Sequence, residues 1–278
     1  MVSPLELLLI PLGFAIGAYG TMIGAGGGFV LVPALLFLYP DDSQRQITSI
    51  SLAVILATSI SGSAAYAYRR LIDYRTGLLL ASAMVPASLA GAYALRLLPR
   101  SAFDVAFGLL LVLFAVVSLV GVLEGARTIR EPVAPRRMVI ARKIDRGGGV
   151  TSQYSYDIRQ GLVMSGGTGF VATLFGVGGG IIQVPLMATV LRIPLDVSVA
   201  TSQFMLIFMA TTGTSIHAIA GDFGLTQLTR AGLLGLGAIV GAQVGAVAGQ
   251  RLTDKTRSRL LSAGLVTIGG SLILAPVF

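Results

Sequence analysis

The sequence predicts an all-α polytopic membrane protein made of two inverted-topology repeats of about five helical segments each, and three observations predict it. The first is composition: of 278 residues, 54% are hydrophobic and 12% are charged, with a mean hydropathy of +0.85. A soluble domain carries about 25% charged residues, so this chain lacks the polar surface that water requires. The second is where the charges fall. Eight stretches hold no Asp, Glu, Lys or Arg: 7–40, 46–68, 76–95, 105–123, 160–191, 197–221, 231–250 and 260–278. Each is long enough to cross a bilayer, for which about 20 apolar residues suffice. The third is repetition, since the lengths run 34, 23, 20 and 19 and then 32, 25, 20 and 19. Soluble enzymes and secreted disulfide scaffolds are excluded, the latter also by the absence of cysteine.

The organisation follows: a first repeat over 1–123, a basic cytoplasmic linker over 124–159 and a second repeat over 160–278. The first stretch is preceded by Glu6 and no basic segment, and it outruns a signal peptide, so it reads as retained structure. As a single helix its 34 residues would extend about 51 Å. Gly24-Ala25-Gly26-Gly27-Gly28 breaks it, and Gly176-Val177-Gly178-Gly179-Gly180 breaks the partner stretch at an offset of 152. Glycine is poor inside a helix and supplies unusual backbone angles, so the first two segments of each repeat form a glycine-broken hairpin. Whether these hairpins span or re-enter, each half then has an odd number of crossings, and the second half is inverted.

Proline follows each triplet by five residues, at Pro33 and Pro185, as it does near a helix start. The second arms should therefore begin just after the triplets. Their N-termini would carry about half a positive charge and bare N–H donors, which suits an anion. Candidate donors are the backbones of Gly26, Gly27, Gly28, Gly178, Gly179 and Gly180. Close helix packing alone is the competing account of these glycines.

The next stretch of each half carries Thr48-Ser49 or Thr201-Ser202, aligned at an offset of 153 and expected to open its helix. These hydroxyls and Gln203 are candidates for capping or for donation to an anion. Gln183 stands between Ile182 and Val184 in the second hairpin and must find a polar partner there. His217, the one histidine of the chain, is a further candidate. In the third stretches, Gly237, Gly241, Gly245 and Gly249 recur every fourth residue, as do Ala83, Ala87 and Gly91, with Gly91-Ala92 matching Gly245-Ala246. That is small-residue packing, inside the chain or between two copies in a homodimer.

Charge sets the orientation. With inverted halves, sixteen of the 20 basic residues share the linker's face, and Arg45, Arg96, Arg100 and Arg230 lie opposite; parallel halves would divide them 12 to 8. Positive residues mark the cytoplasmic side, so the linker is placed inside and both termini outside. The net charge of +8 and pI near 10.3 are thereby topogenic, and no nucleic-acid partner is implied. The linker, rich in Arg and Pro with Gly147-Gly148-Gly149, shows no apolar period and reads as a solvated connector. All twelve acidic residues lie outside the eight stretches, so no intramembrane carboxylate offers a proton relay. An anion would be held by neutral dipoles alone.

Two glycine hairpins, each with its following proline, and the Ala200-Thr201-Ser202 motif resemble the TauE/SafE family of sulfite exporters over nearly the whole chain. The first half departs from that pattern, with Ile47 where the second has Ala200. The resemblance implies a cell-membrane transporter that exports sulfite or a small sulfonate such as sulfoacetate, with the lipid bilayer as its other partner and no cofactor. An anion channel and an uptake permease for another small anion are the alternatives. An intramembrane hydrolase would pair His217 with Ser61, Ser63 or Ser165, but no nucleophile motif surrounds these serines.

Overall fold

The computed structural model describes residues 6–110, 139–145 and 151–253, together with 113, 256, 259, 260 and 263. Most of the last predicted segment of each half, 105–123 and 260–278, and much of the linker, lie outside the described residues. A 3-10 turn, Glu6–Leu8, leads into α1 (Leu9–Ile23), followed by α2 (Gly28–Leu38), α3 (Gln44–Tyr68), α4 (Tyr74–Leu95) and α5, helical over 100–110. Strands β1 (Val139–Asp145) and β2 (Thr151–Asp157) come next, then α6 (Ile158–Phe175), α7 (Gly180–Thr189), α8 (Leu195–Ile219) and α9 (Leu225–Gln250). Among the described residues, five segments are long and apolar enough to cross a membrane: Glu6–Ile23, α3, α4, α8 and α9. The protein is a multi-pass, helical membrane protein.

Local chemistry sets the boundaries. Gly24 and Gly176 end α1 and α6 with φ of 78° and 65°, a left-handed cap that favours glycine. The second arms start at Gly28 and Gly180, where the sequence placed them. Pro33 and Pro185 are nonetheless the sixth residues of their arms and not part of the first turn. There each removes one helical N–H and leaves the carbonyl four residues earlier without its donor. At 11 and 10 residues, α2 and α7 extend about 16 and 15 Å, half the thickness of a hydrocarbon core.

The Thr-Ser pairs lie within their helices and do not open them. Ser43 opens α3 through a capping box with Gln46, and Pro194 precedes α8. A capping box satisfies two terminal donors reciprocally, which is why α3 begins four residues before Thr48.

Packing between the halves is reciprocal. Helix α1 lies along α9, and α6 lies along α4. A methyl group at Gly17 would overlap the carbonyl of Ala238, and one at Gly169 the carbonyl of Met84. Likewise Gly245 sits on the carbonyl of Ala18 and Gly91 on that of Phe170. The small-residue stripe therefore packs inside the chain, which lets backbones approach where side chains would hold them apart.

Part of the linker, expected to be a solvated connector, is an antiparallel ribbon in register from Val139↔Asp157 to Asp145↔Thr151. Tyr154 and Tyr156 are buried. Alternate residues of a strand share one face, and these two turn it toward the bundle. Their polar hydroxyls hid this alternation from an apolar-period search.

Candidate anion site between the glycine hairpins

The two hairpin tips meet in the buried interior of the described helices. A Cβ on Gly28 would lie 2.6 Å from the carbonyl oxygen of Gly176, and one on Gly180 would overlap that of Gly24. The tips thus cross backbone to backbone, which only glycine allows at that separation. Gly24, Gly26 and Gly27 in one tip, and Gly176 and Gly178 in the other, have positive φ. Gly179 is the exception at −61°, against 84° for its counterpart Gly27.

Each second arm leaves its first donors unused. Among the described residues, nothing accepts from the N–H groups of Gly27, Gly28 and Phe29, or from those of Gly179, Gly180 and Ile181. Unpaired first-turn donors are normal at a helix start, but water or a cap ordinarily meets them. Here Gly28, Phe29, Gly180 and Ile181 are buried. Ile55 packs over Gly26, Gly28 and Gly178, and Leu206 over Gly26 and Gly179.

Helices α3 and α8 flank the crossing in matched positions. Ser51 Oγ donates to the Gly176 carbonyl at 2.6 Å, and Ser202 Oγ to the Gly24 carbonyl at 3.3 Å. Thr48 packs on Gly176 as Val199 packs on Gly24, and Ile55 stands opposite Leu206. All three pairs share an offset of 151. The sequence aligned Thr48-Ser49 with Thr201-Ser202 at 153, but in space Thr48 answers to Val199 and Ser51 to Ser202. The cause is that α7 is one residue shorter than α2. For α4 and α9 the contacts of Gly91 and Gly245 match at 154, in agreement with the sequence alignment.

The remaining candidates divide by what they touch. Ser49 Oγ donates to the Gln46 carbonyl of its own helix, and Thr201 Oγ1 accepts from the Asp73 N–H. Gln183 Nε2 donates to Ser165 Oγ at 2.9 Å, while its Oε1 has no partner among the described residues. His217 Nδ1 lies 2.8 Å from an Asp222 carboxylate oxygen, and its Nε2 has no partner among the described residues. None of Ser61, Ser63 and Ser165 is hydrogen-bonded to the imidazole among the described residues.

Three hydroxyls that the sequence did not offer as donors, those of Thr21, Ser59 and Ser63, join Thr48 and Gln203 to complete the picture. The hydroxyls of Thr21, Thr48, Ser59 and Ser63, and both amide atoms of Gln203, are buried without partners among the described residues. Each such group costs about 1–3 kcal/mol when nothing compensates it. Lone hydroxyls in an apolar stretch have no period to betray them. Only the spatial register reveals that several converge.

Charged groups close both ends. On the face predicted to lie outside, Arg96 pairs with Asp222 at 3.1 Å and Arg230 with Asp42 at 2.6 Å, each pair joining one half to the other. The guanidinium of Arg230 also covers the ring of Tyr39. On the linker's face, Arg142 of β1 grips Asp73 with two N–H groups at 2.9 and 2.5 Å, and the Tyr154 hydroxyl donates to it at 2.6 Å. Burial pushes the Asp73 carboxyl up, but the Arg142, Thr76 and Tyr154 donors outweigh it and hold the group well below the usual carboxylate range. The same burial and contact push the Tyr154 hydroxyl up.

Residues 9–277 match the family described as sulfite exporter TauE/SafE. The chain is 31% identical over 278 residues to the probable membrane transporter protein YunE of Bacillus subtilis, covering 98% of each chain. It is 24% identical to the probable membrane transporter protein MJ0441 of Methanocaldococcus jannaschii, covering 99% of this chain and all of that one. No solved structure matches it. The chain belongs to the TauE/SafE family.

Proposed function

We propose that this TauE/SafE member is a carrier of the cell membrane that exports a small sulfur-containing anion, sulfite or a two-carbon sulfonate such as sulfoacetate, by alternating access. The observation that carries the reading is the pair of buried helix starts whose N–H groups have no acceptor among the described residues. Two converging N-termini supply partial positive charge without a cation, and such a site holds an anion loosely enough to release it. The matched contacts of the halves support a repeat whose second copy is inverted. In inverted-repeat carriers the substrate sits where broken helices meet near the midplane. Rocking of the halves would part the Arg96–Asp222 and Arg230–Asp42 pairs on the outer face. The linker then lies in the cytoplasm and the termini outside.

Export needs no coupling ion on this reading. The cell interior is negative, so an anion leaves downhill by about 2.3 kcal/mol per charge per 100 mV. Family membership and the crossing of neutral donors support transport, and no catalytic step is assigned. The test is flux of labelled sulfite and sulfoacetate in liposomes bearing the purified protein, with trans-stimulation measured alongside. Saturable flux accelerated by substrate on the far side is expected. Flux without saturation or trans-stimulation would identify a channel, and no flux of any sulfur anion would refute the assignment. Gly179→Ala gives a second check, because the three atoms nearest the new methyl belong to the side chains of Thr168, Met209 and Leu206 at 3.2–3.4 Å. The variant should fold and transport several-fold more slowly.

A further inference from the structure

One turn along α3 from Ile55, and one turn back along α8 from Leu206, the hairpin crossing gives way to a polar cluster. Gly62 of α3 is its floor: a Cβ there would lie 2.9 and 3.3 Å from the methyl and hydroxyl of Thr21, and 3.6 Å from the amide carbon of Gln203. Ser59, three residues before Gly62, shares its face of α3, and Ser63, four residues after Ser59, lies beside Ser59 on the adjoining face. All four polar side chains are buried, and the oxygens of Thr21, Ser59 and Ser63 and both amide atoms of Gln203 have no partner among the described residues. The Tyr66 hydroxyl donates to the Thr21 carbonyl at 2.8 Å and closes one end.

The cluster is only partly repeated on the other side, where the hydroxyl oxygens of Thr173 and Thr214, the counterparts of Thr21 and Ser63, are also buried without partners among the described residues. At the offset of 151 that relates α3 to α8, Gly213 packs on Thr173 and Leu52 as Gly62 packs on Thr21 and Gln203. The scaffold of threonine and glycine is kept in both halves, while Leu52 stands in the position matching Gln203, Ala210 in that matching Ser59 and His217 in that matching Tyr66. Packing alone needs no amide at this place, as Leu52 demonstrates in the matching one.

We infer that Thr21, Ser59, Ser63 and Gln203 form the recognition site for the substrate, and that it takes a singly charged oxyanion carrying its own O–H donor, such as hydrogensulfite or a hydroxylated sulfonate. The inference rests on the transport reading above and narrows its substrate class to monoanions with a hydroxyl, which leaves out the doubly charged sulfoacetate. Hydroxyls and the amide N–H supply donors for anionic oxygens. The amide oxygen needs a donor in return, and this holds whichever way the amide is turned, because both its atoms lack partners. The stretches lining the cluster, 7–40, 46–68 and 197–221, contain no Lys or Arg to compensate a second negative charge.

The test measures flux of 2-hydroxyethanesulfonate, methanesulfonate and sulfate in liposomes bearing the full-length protein. The expected order is 2-hydroxyethanesulfonate above methanesulfonate, with sulfate at least tenfold below both. Gln203→Leu, which installs the residue found at the matching position, should fold normally, lower both sulfonate fluxes at least tenfold and abolish the preference for the hydroxylated one. The isosteric pair Thr21→Val with Ser59→Ala should do the same, and decides the matter should Gln203→Leu fail to insert. Wild-type rates and preference in these variants, or sulfate carried as fast as the sulfonates, would overturn the inference and leave the transport reading standing. A wild type that moves none of the three, and neither sulfite nor sulfoacetate, defeats the transport reading. The cluster is then judged by thermal shift with 2-hydroxyethanesulfonate and glycolate. A rise in Tm that Gln203→Leu removes upholds it, and no rise with either overturns it.

Discussion

The first and second hairpins are nearly the same object in backbone and different objects in chemistry. Each ends its first helix on a left-handed glycine, folds back through a glycine tip and starts a short arm interrupted by proline. Each lends a tip carbonyl to a serine of the opposite half. Around this shared frame the side chains diverge: the Thr21 side meets Gln203 and the Thr173 side meets Leu52. The two loops that start α4 and α9 diverge too, Asp73 held by the linker ribbon and Asp222 by Arg96 and His217. Duplication thus supplies the crossing, and later divergence supplies the polarity that tells one side from the other.

The largest effect should come from breaking what the halves share. In Gly180→Ala the new methyl overlaps the Gly24 carbonyl, and the nearest atoms are backbone that cannot turn aside. Ordinary overpacking costs about 1–3 kcal/mol, and this contact exceeds it. The variant should give no monodisperse peak on size-exclusion chromatography, while Gly179→Ala, one residue away, should elute as wild type. If Gly180→Ala folds normally, the tips do not cross as described.

Next comes the strap on the linker's side. Arg142→Ala strands Asp73 in a buried setting, which costs about 3 kcal/mol when one member of a buried pair is removed. Thermal unfolding in detergent should shift down accordingly, and Arg96→Ala, whose partner Asp222 is more exposed, should cost less. The pH dependence has a definite sign. Because the folded Asp73 carboxyl is held below its unfolded value, its contribution is fully present above the ordinary carboxylate range. It is lost as pH falls through the folded value. The strap should therefore stay closed at neutral and mildly acid pH, and opening near pH 6 would contradict the ion pair.

Much of this frame was legible in the residues. Charge-free stretches located the spans, and the two glycine clusters located the starts of α2 and α7, because both signals are strong and local. The site was less legible. Matching Thr48-Ser49 to Thr201-Ser202 by letter gave an offset of 153, whereas contacts give 151 after α7 loses a residue relative to α2. Ser51, Ser59 and Thr21 escaped notice because a lone hydroxyl in an apolar helix carries no period. The ribbon was hidden for a related reason, since Tyr154 and Tyr156 count as polar until a strand aligns them.

Leu52→Gln sharpens the comparison by giving the second side the amide of the first. With Ala210 where the first side has Ser59, the new amide lacks a complete set of partners and should destabilise by about 1–3 kcal/mol. A stabilised variant with raised flux would instead mean that both sides are equally fit to hold an anion.

The smallest expected effect concerns the two serine braces. Ser51→Ala and Ser202→Ala each remove a hydroxyl from a tip carbonyl, and a buried hydrogen bond contributes about 1 kcal/mol. The distances are unequal, 2.6 Å for Ser51 and 3.3 Å for Ser202, and the shorter bond should matter more. Ser51→Ala should therefore lower Tm further than Ser202→Ala, by an amount corresponding to a few tenths of a kcal/mol within that range. The order has a mechanical consequence: the Gly176 tip is held more firmly by α3 than the Gly24 tip is by α8. Under the proposed rocking of the halves, the looser tip is the one expected to move first. The reverse order of Tm values would assign that motion to the second hairpin instead.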